Sequence, residues 1–172
     1  ASISIYFDRP FKVGDYIIIG TDNGTVKHIG IKSTRIQTLQ GQELIVSNKD
    51  LMESRIHNYK NMDKRRISFS FGVTYDTTSA KLKKIPVIVE KIIDNAKSAE
   101  FDRAHFKEFG DSALLFDIVY YVTTREYDVY MDIQQAINLQ IKAAFEKEKI
   151  EMAYPTQTLF VHKEKWFFKI TV

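Results

Sequence analysis

The chain contains no cysteine. That absence removes disulfides, thiolate zinc sites and cysteine nucleophiles together, and it suits a reducing compartment. An excess of one charge is also lacking. Lysine and arginine number 25 against 22 aspartates and glutamates, and a formal net charge of +3 is too slight to argue for nucleic acid or an anionic membrane. Long apolar runs are missing: runs such as 17–19 and 113–116 fall far below the roughly 18 to 20 residues that span a bilayer, and no secretory signal pattern appears. The seven glycines form neither a G-x-G-x-x-G fingerprint nor a phosphate loop, and no G-x-S-x-G nucleophile elbow exists. His28, His57, His105 and His162 are scattered without metal-site spacing. Glu146, Glu148 and Glu151 cluster with lysines at a helix end and read as a solvated, salt-bridged face. With no coherent constellation of catalytic groups, no metal site and no cofactor fingerprint, an enzyme is not expected.

What is there is enough for a core: 172 residues, 44% of them hydrophobic. From Lys12 to Asn61 the pattern is short β segments and turns. Asn23-Gly24 in "DYIIIGTDNGTVKHIGI" predicts a type I′ hairpin, because that dipeptide accepts positive φ at both central positions. "STRIQT" and "ELIVS" predict a second hairpin around Gln40-Gly41, and Ile56 to Tyr59 a fifth strand. Five short strands match a small SH3-like or Sm-like barrel.

The basic stretch "KNMDKRR", Lys60 to Arg66, reads as a connector. Beyond it, Ile67, Phe69, Phe71, Val73 and Tyr75 share one face of a strand. Leu82, Ile85, Val89, Ile92 and Ala96 recur at helical steps after a cap at Thr78 or Ser79, and Pro86 predicts a kink or a late start. Strands at about Arg103 to Phe109 and Ala113 to Thr123 follow. Next comes a helix from about Asp128 to Lys149, with Ile133, Ile137, Ile141, Ala144 and Phe145 on one stripe. "TQTLFVHK" would supply a last strand, giving the β-α-β-β-α-β order of a ferredoxin-like domain. The fold class is thus α+β: a small β barrel, a ferredoxin-like domain, and a C-terminal strand "KEKWFFKITV" that finds a partner in neither and is expected to pair with other chains.

The strings "RPFKVGDYI", "NGTVKHIGIKSTRIQT", "GQELIVSNKDLMESRIHNY" and "RRISFSFGVTYDT", in this order, resemble the soluble region of the small-conductance mechanosensitive channel family. The resemblance runs from about Arg9 to Lys163. It implies residues 1–8 as the end of a pore-lining helix, 9–62 as an Sm-like β domain, 63–163 as a ferredoxin-like α/β domain, and 164–172 as a strand for an oligomer barrel. That strand carries Trp166, Phe168, Ile170 and Val172. Asn48 matches the asparagine of the family's Pro-Asn turn near the pore helices, with Ser47 standing where the family has proline. Asn58, Lys60, Lys64, Arg65 and Arg66 become candidates to line side portals and bias which ions pass.

The implied partners are copies of the chain itself in a ring of seven, ions and small osmolytes, and the membrane through helices upstream of Ala1. The implied location is the cytoplasmic face of the inner membrane. The opening "ASISIYFDRPF" then reads as a cut through a longer chain, ended as helix where Pro10 disfavours helix at Arg9. Such a fragment cannot gate alone, since the tension-sensing helices lie upstream. On the residues alone, a different class also stands open, an Sm-like RNA- or oligonucleotide-binding module, which would show a steep salt-dependent affinity. A regulatory ligand-binding domain of ferredoxin-like type is a third reading.

Overall fold

The structure is a computed structural model, and it describes residues 10–157. The first sheet contains β1 (Tyr16–Ile19), β2 (Asp22–Ile29), β3 (Ser33–Thr38), β4 (Glu43–Ser47) and β5 (Ile56–Asn58) in the antiparallel order β4-β3-β2-β1-β5. Its first hairpin turns at Gly20-Thr21, with Ile19 opposite Asp22 and Gly20 at φ 59°. The expected Asn23-Gly24 turn is therefore wrong: both residues lie inside β2, opposite Ile18 and Ile17. Apolar burial sets this register, because it keeps Ile17 and Val26 in the core. Gly24 serves another purpose. A Cβ there would sit 2.3 Å from the Gln37 carbonyl oxygen, so glycine lets β2 and β3 approach. The second hairpin turns at residues 39–42, as expected, with Gly41 at φ 89°.

Sequence periodicity misses the short helix α1 (Asn48–Glu53), since six residues carry too little repeat to be seen. Its start is chemical. The Ser47 hydroxyl accepts from the Asp50 amide at 3.1 Å, and Leu51 is buried beneath. After β5 the chain makes one 3₁₀ turn, Tyr59–Asn61, capped by Asn58. The second sheet starts at Arg65, so Arg65 and Arg66 belong to a strand and not to the predicted connector.

That sheet has the order β6-β8-β7, from β6 (Arg65–Val73), β7 (Ala99–Phe109) and β8 (Leu114–Val122), all antiparallel. Tyr75 lies past the end of β6 and is half exposed, so it does not extend the strand's apolar face. β7 begins four residues earlier than predicted, because irregularities at Phe101/Arg103 and Phe106/Glu108 break the alternation that periodicity reads. Helix α2 (Ser79–Asp94), capped by Thr78, runs across Pro86 from the expected first turn, so no late start occurs. Burying Ile85, Val89 and Ile93, at about 1.5–3 kcal/mol each, outweighs the roughly 3 kcal/mol cost of an interior proline. Helix α3 (Tyr127–Glu148) buries Ile137, Ile141 and Phe145, and ends at Lys149 in the left-handed region at φ 52°. Among the described residues no helix is long and apolar enough to cross a membrane.

Past α3, the Ala153 amide donates to Gly72 O at 2.9 Å and Glu151 O accepts from the Thr74 amide at 3.0 Å, so the chain lies antiparallel beside the end of β6. Thr156 and Gln157 have no regular structure. The rest of the expected last strand, residues 158–163, lies outside the described residues, as do residues 1–8 and the terminal strand with Trp166, Phe168, Ile170 and Val172.

Candidate functional site at the handover between the sheets

The run from Asn58 to Arg66 leaves the first sheet and enters the second, and Asn58, Lys60, Lys64 and Arg65 on it are each engaged by neighbours. Asp15, only 4% exposed, sits below it. Its carboxylate accepts from the Lys12 amide at 3.0 Å and from Asn58 Nδ2 at 2.9 Å, and pairs with Lys60 Nζ at 3.5 Å. Burial alone would raise the Asp15 pKa, but the hydrogen bonds from Asn58, the Lys12 amide and Lys60, with the charge of Lys60, hold it below the usual carboxylate value. Asn58 also donates to Pro10 O at 3.2 Å and accepts from the Lys60 amide at 3.0 Å. One asparagine thus ties the start of the described chain, the 3₁₀ turn and the buried aspartate together.

Of the other sequence-predicted portal residues, Lys64 pairs with Glu100 on β7, and Arg65 packs among the rings of Tyr59, Tyr127 and Tyr130. Arg66 is exposed and has no carboxylate within ion-pairing distance among the described residues. The structure therefore brings Asn58, Lys60 and Arg65 into one braced region and leaves Arg66 as the freest charge of the set. Sequence reasoning missed Asp15, Tyr127 and Tyr130, which lie more than 40 residues along the chain from Asn58, Lys60 and Arg65, the residues they contact. The i, i+3 spacing of Tyr127 and Tyr130 on a helix was the available signal.

Asn48 is buried at 1% exposure. Its Oδ1 accepts from the Thr34 hydroxyl at 2.8 Å, and its Nδ2 donates to Gly30 O at 2.9 Å and Ile31 O at 3.2 Å. The side chain is spent on holding the turn between β2 and β3. That turn offers Ile31, 83% exposed, at its tip. Elsewhere, an open groove of about 550 Å3 runs along the edge of β6 that faces away from β8, between Ser68, Phe69 and Phe71 on one side and Tyr130, Ile141 and Met152 on the other. Among the described residues no group of three or more His, Asp or Glu is placed to hold a metal.

Comparison with known proteins accounts for both sheets. Residues 1–61 match the family model "Mechanosensitive ion channel, beta-domain", and residues 67–152 match "Mechanosensitive ion channel MscS, C-terminal". The chain belongs to the MscS family of mechanosensitive channels. It is 38% identical over 165 residues to the small-conductance mechanosensitive channel MscMJ of Methanocaldococcus jannaschii, covering 95% of this chain and 47% of that protein. It is 30% identical over 169 residues to the low conductance mechanosensitive channel YnaI of Escherichia coli, covering 94% and 48%. The chain thus spans about half the length of the curated relatives it matches. The α+β fold is likewise shared. The crystal structure of Helicobacter pylori MscS in its closed state superposes with TM-score 0.76 at 23% identity, over 95% of this chain and 64% of that one. Arabidopsis thaliana MSL1, solved by cryo-EM, gives 0.81 at 17% identity, over 90% and 57%.

Proposed function

We propose that this chain forms the wall of an aqueous vestibule under the pore of a tension-gated, homo-oligomeric channel that releases ions and small osmolytes. The observation that carries the reading is that both family regions occur in the family order on one chain, in a protein similar to named mechanosensitive channels. In this reading the membrane helices belong to the upstream half, and the vestibule stands on the cytoplasmic face of the membrane, assembled as a ring of seven copies through the terminal strand with Trp166, Phe168, Ile170 and Val172.

The same reading makes residues 9–62 an Sm-like domain and 63–163 a ferredoxin-like one. The order β4-β3-β2-β1-β5 supports the first. For the second, the support is the β6-β8-β7 order together with a β6 edge that no named strand pairs among the described residues, since Gly72 and Thr74 direct their backbone groups there and alternation aims those of Ser68 and Ser70 into the groove. A fourth strand from "TQTLFVHK" fits that edge. Asn48 acts on the pore helices through the turn it holds, with Ile31 as the contacting side chain. The run Asn58 to Arg66 borders the side portals, and its local ion pairs leave Arg66 as the main charge seen by permeating ions. Screening within about 8 Å at physiological salt limits the influence to charges at the opening itself.

Patch-clamp recording of the full-length gene product in liposomes tests the function. Tension-activated currents are expected, and their absence at lytic tension rejects it. In the same channel, Arg66→Ala is expected to move the reversal potential toward cations, and the double replacement Lys64→Ala/Glu100→Ala, which removes a neutral ion pair as a unit, to leave it nearly unchanged.

A further inference from the structure

Arg65 and Arg66 are adjacent in sequence and opposite in environment. Arg66 faces solvent. The Arg65 guanidinium instead lies 5.7 Å from the ring centre of Tyr59, 5.7 Å from that of Tyr127 and 5.3 Å from that of Tyr130. Its Nε is buried with no hydrogen-bond partner among the described residues. A guanidinium that gives up solvent on Nε without gaining an acceptor needs compensation, and three ring faces supply it through cation–π attraction, which strengthens as water is removed.

The three rings come from two elements. Tyr59 belongs to the 3₁₀ turn that ends the first sheet, and its ring meets Tyr16 of β1 edge-on at 6.1 Å. Tyr127 and Tyr130 lie on the first turn of α3 and meet each other edge-on at 5.6 Å. A line of packed groups therefore runs from β1 through Tyr59 and Arg65 to α3. Asn58, one residue before Tyr59, is braced in turn against Asp15 and Pro10 O.

The two apolar cores share no residue, and only residues 62–64 separate the 3₁₀ turn from β6. Backbone alone would let the two sheets swing about that connection. We propose that Arg65 is a positioning residue, a clamp that fixes the orientation of the first sheet against the second by holding Tyr59 to Tyr127 and Tyr130. Its charge is thereby committed to the rings. This inference stands on the contacts within one chain and does not depend on the channel reading.

The absence of cysteine allows a direct test in the 172-residue chain. Spin labels at Lys27→Cys on β2 and Lys91→Cys on α2, both exposed, report the distance between the two units by pulsed electron paramagnetic resonance. The parent is expected to give one narrow distribution. Arg65→Ala and Tyr130→Leu are expected to broaden it and raise the population of other orientations by about tenfold, while the unfolding midpoint of each core stays close to the parent's. Tyr130→Phe keeps the ring face and is expected to keep the narrow distribution. Distributions as narrow as the parent's in both Arg65→Ala and Tyr130→Leu would overturn the clamp. So would a loss of core stability with the distance unchanged, which marks a local packing role only.

Discussion

Among the described residues five buried side chains, Phe11, Ile17, Val26, Ile36 and Leu51, close the core of the first sheet, whereas sixteen do so around the second. Among the described residues the first region holds three buried polar residues, Asp15, Thr34 and Asn48, and the second holds one, Thr77. A sheet with so small a core buries little apolar area and draws its fixed geometry from hydrogen bonds in places water cannot reach. The second region is stabilised by bulk: Phe71 stacks on Phe116 at 5.7 Å and meets Phe145 edge-on at 5.3 Å, under two helices. Loss of a large apolar group should therefore hurt the second region most, and loss of a buried amide the first.

The largest test of that contrast is Phe116→Ala, expected to destabilise the second region by about 3–5 kcal/mol through the cavity it leaves. Hydrogen exchange should show the loss across β6, β7 and β8 while β1 to β4 keep their protection. Asn48→Ala is the mirror experiment. Stranding Thr34, Gly30 O and Ile31 O should cost the first region about 2–3 kcal/mol, with a selective rise in exchange across β2 and β3. Equal loss of protection in both regions from either variant would break the comparison.

Gly24→Ala sharpens it from the backbone side. A methyl against Gln37 O must push β2 and β3 apart at an expected cost of about 1–3 kcal/mol, read as a lower denaturant midpoint of the first region. The smallest effect concerns acid. Because the folded pKa of Asp15 is depressed, its contribution is present above the ordinary carboxylate value, about 3.9, and is lost as pH falls through the lower folded value. Asn58→Ala removes a principal cause of the depression, so the variant's first region should lose less stability than the parent's over that window. An unchanged acid slope would mean that Asn58 does not hold the carboxylate charged.

Much of the second region was legible because its cues are periodic. The alternation of Ile67, Phe69, Phe71 and Val73 and the stripe of Ile137, Ile141 and Phe145 correspond to a strand and a helix, since burial on one face needs nothing else. Where a bulge broke the period, as in β7, the start of the strand was misjudged. In the first region the preference of Asn23-Gly24 for a turn lost to the register that buries Ile17 and Val26. The portal candidates show the same limit from the side of function. Sequence marked Lys60, Lys64, Arg65 and Arg66 as one basic run, while most of their actual partners, Asp15, Glu100, Tyr127 and Tyr130, come from distant segments.

By itself the sequence determined the α+β class, the order of most strands and helices, and the family, because local periodicity and an ordered series of motifs survive without knowledge of contacts. Only the tertiary structure decided which of four neighbouring cations are engaged, Lys60 by Asp15, Lys64 by Glu100 and Arg65 by three rings, and that Asn48 and Asn58 spend their amides internally. The reason is physical: a charge or an amide acts through whatever lies within a few ångströms of it, and that neighbourhood is assembled by folding from residues the chain keeps far apart.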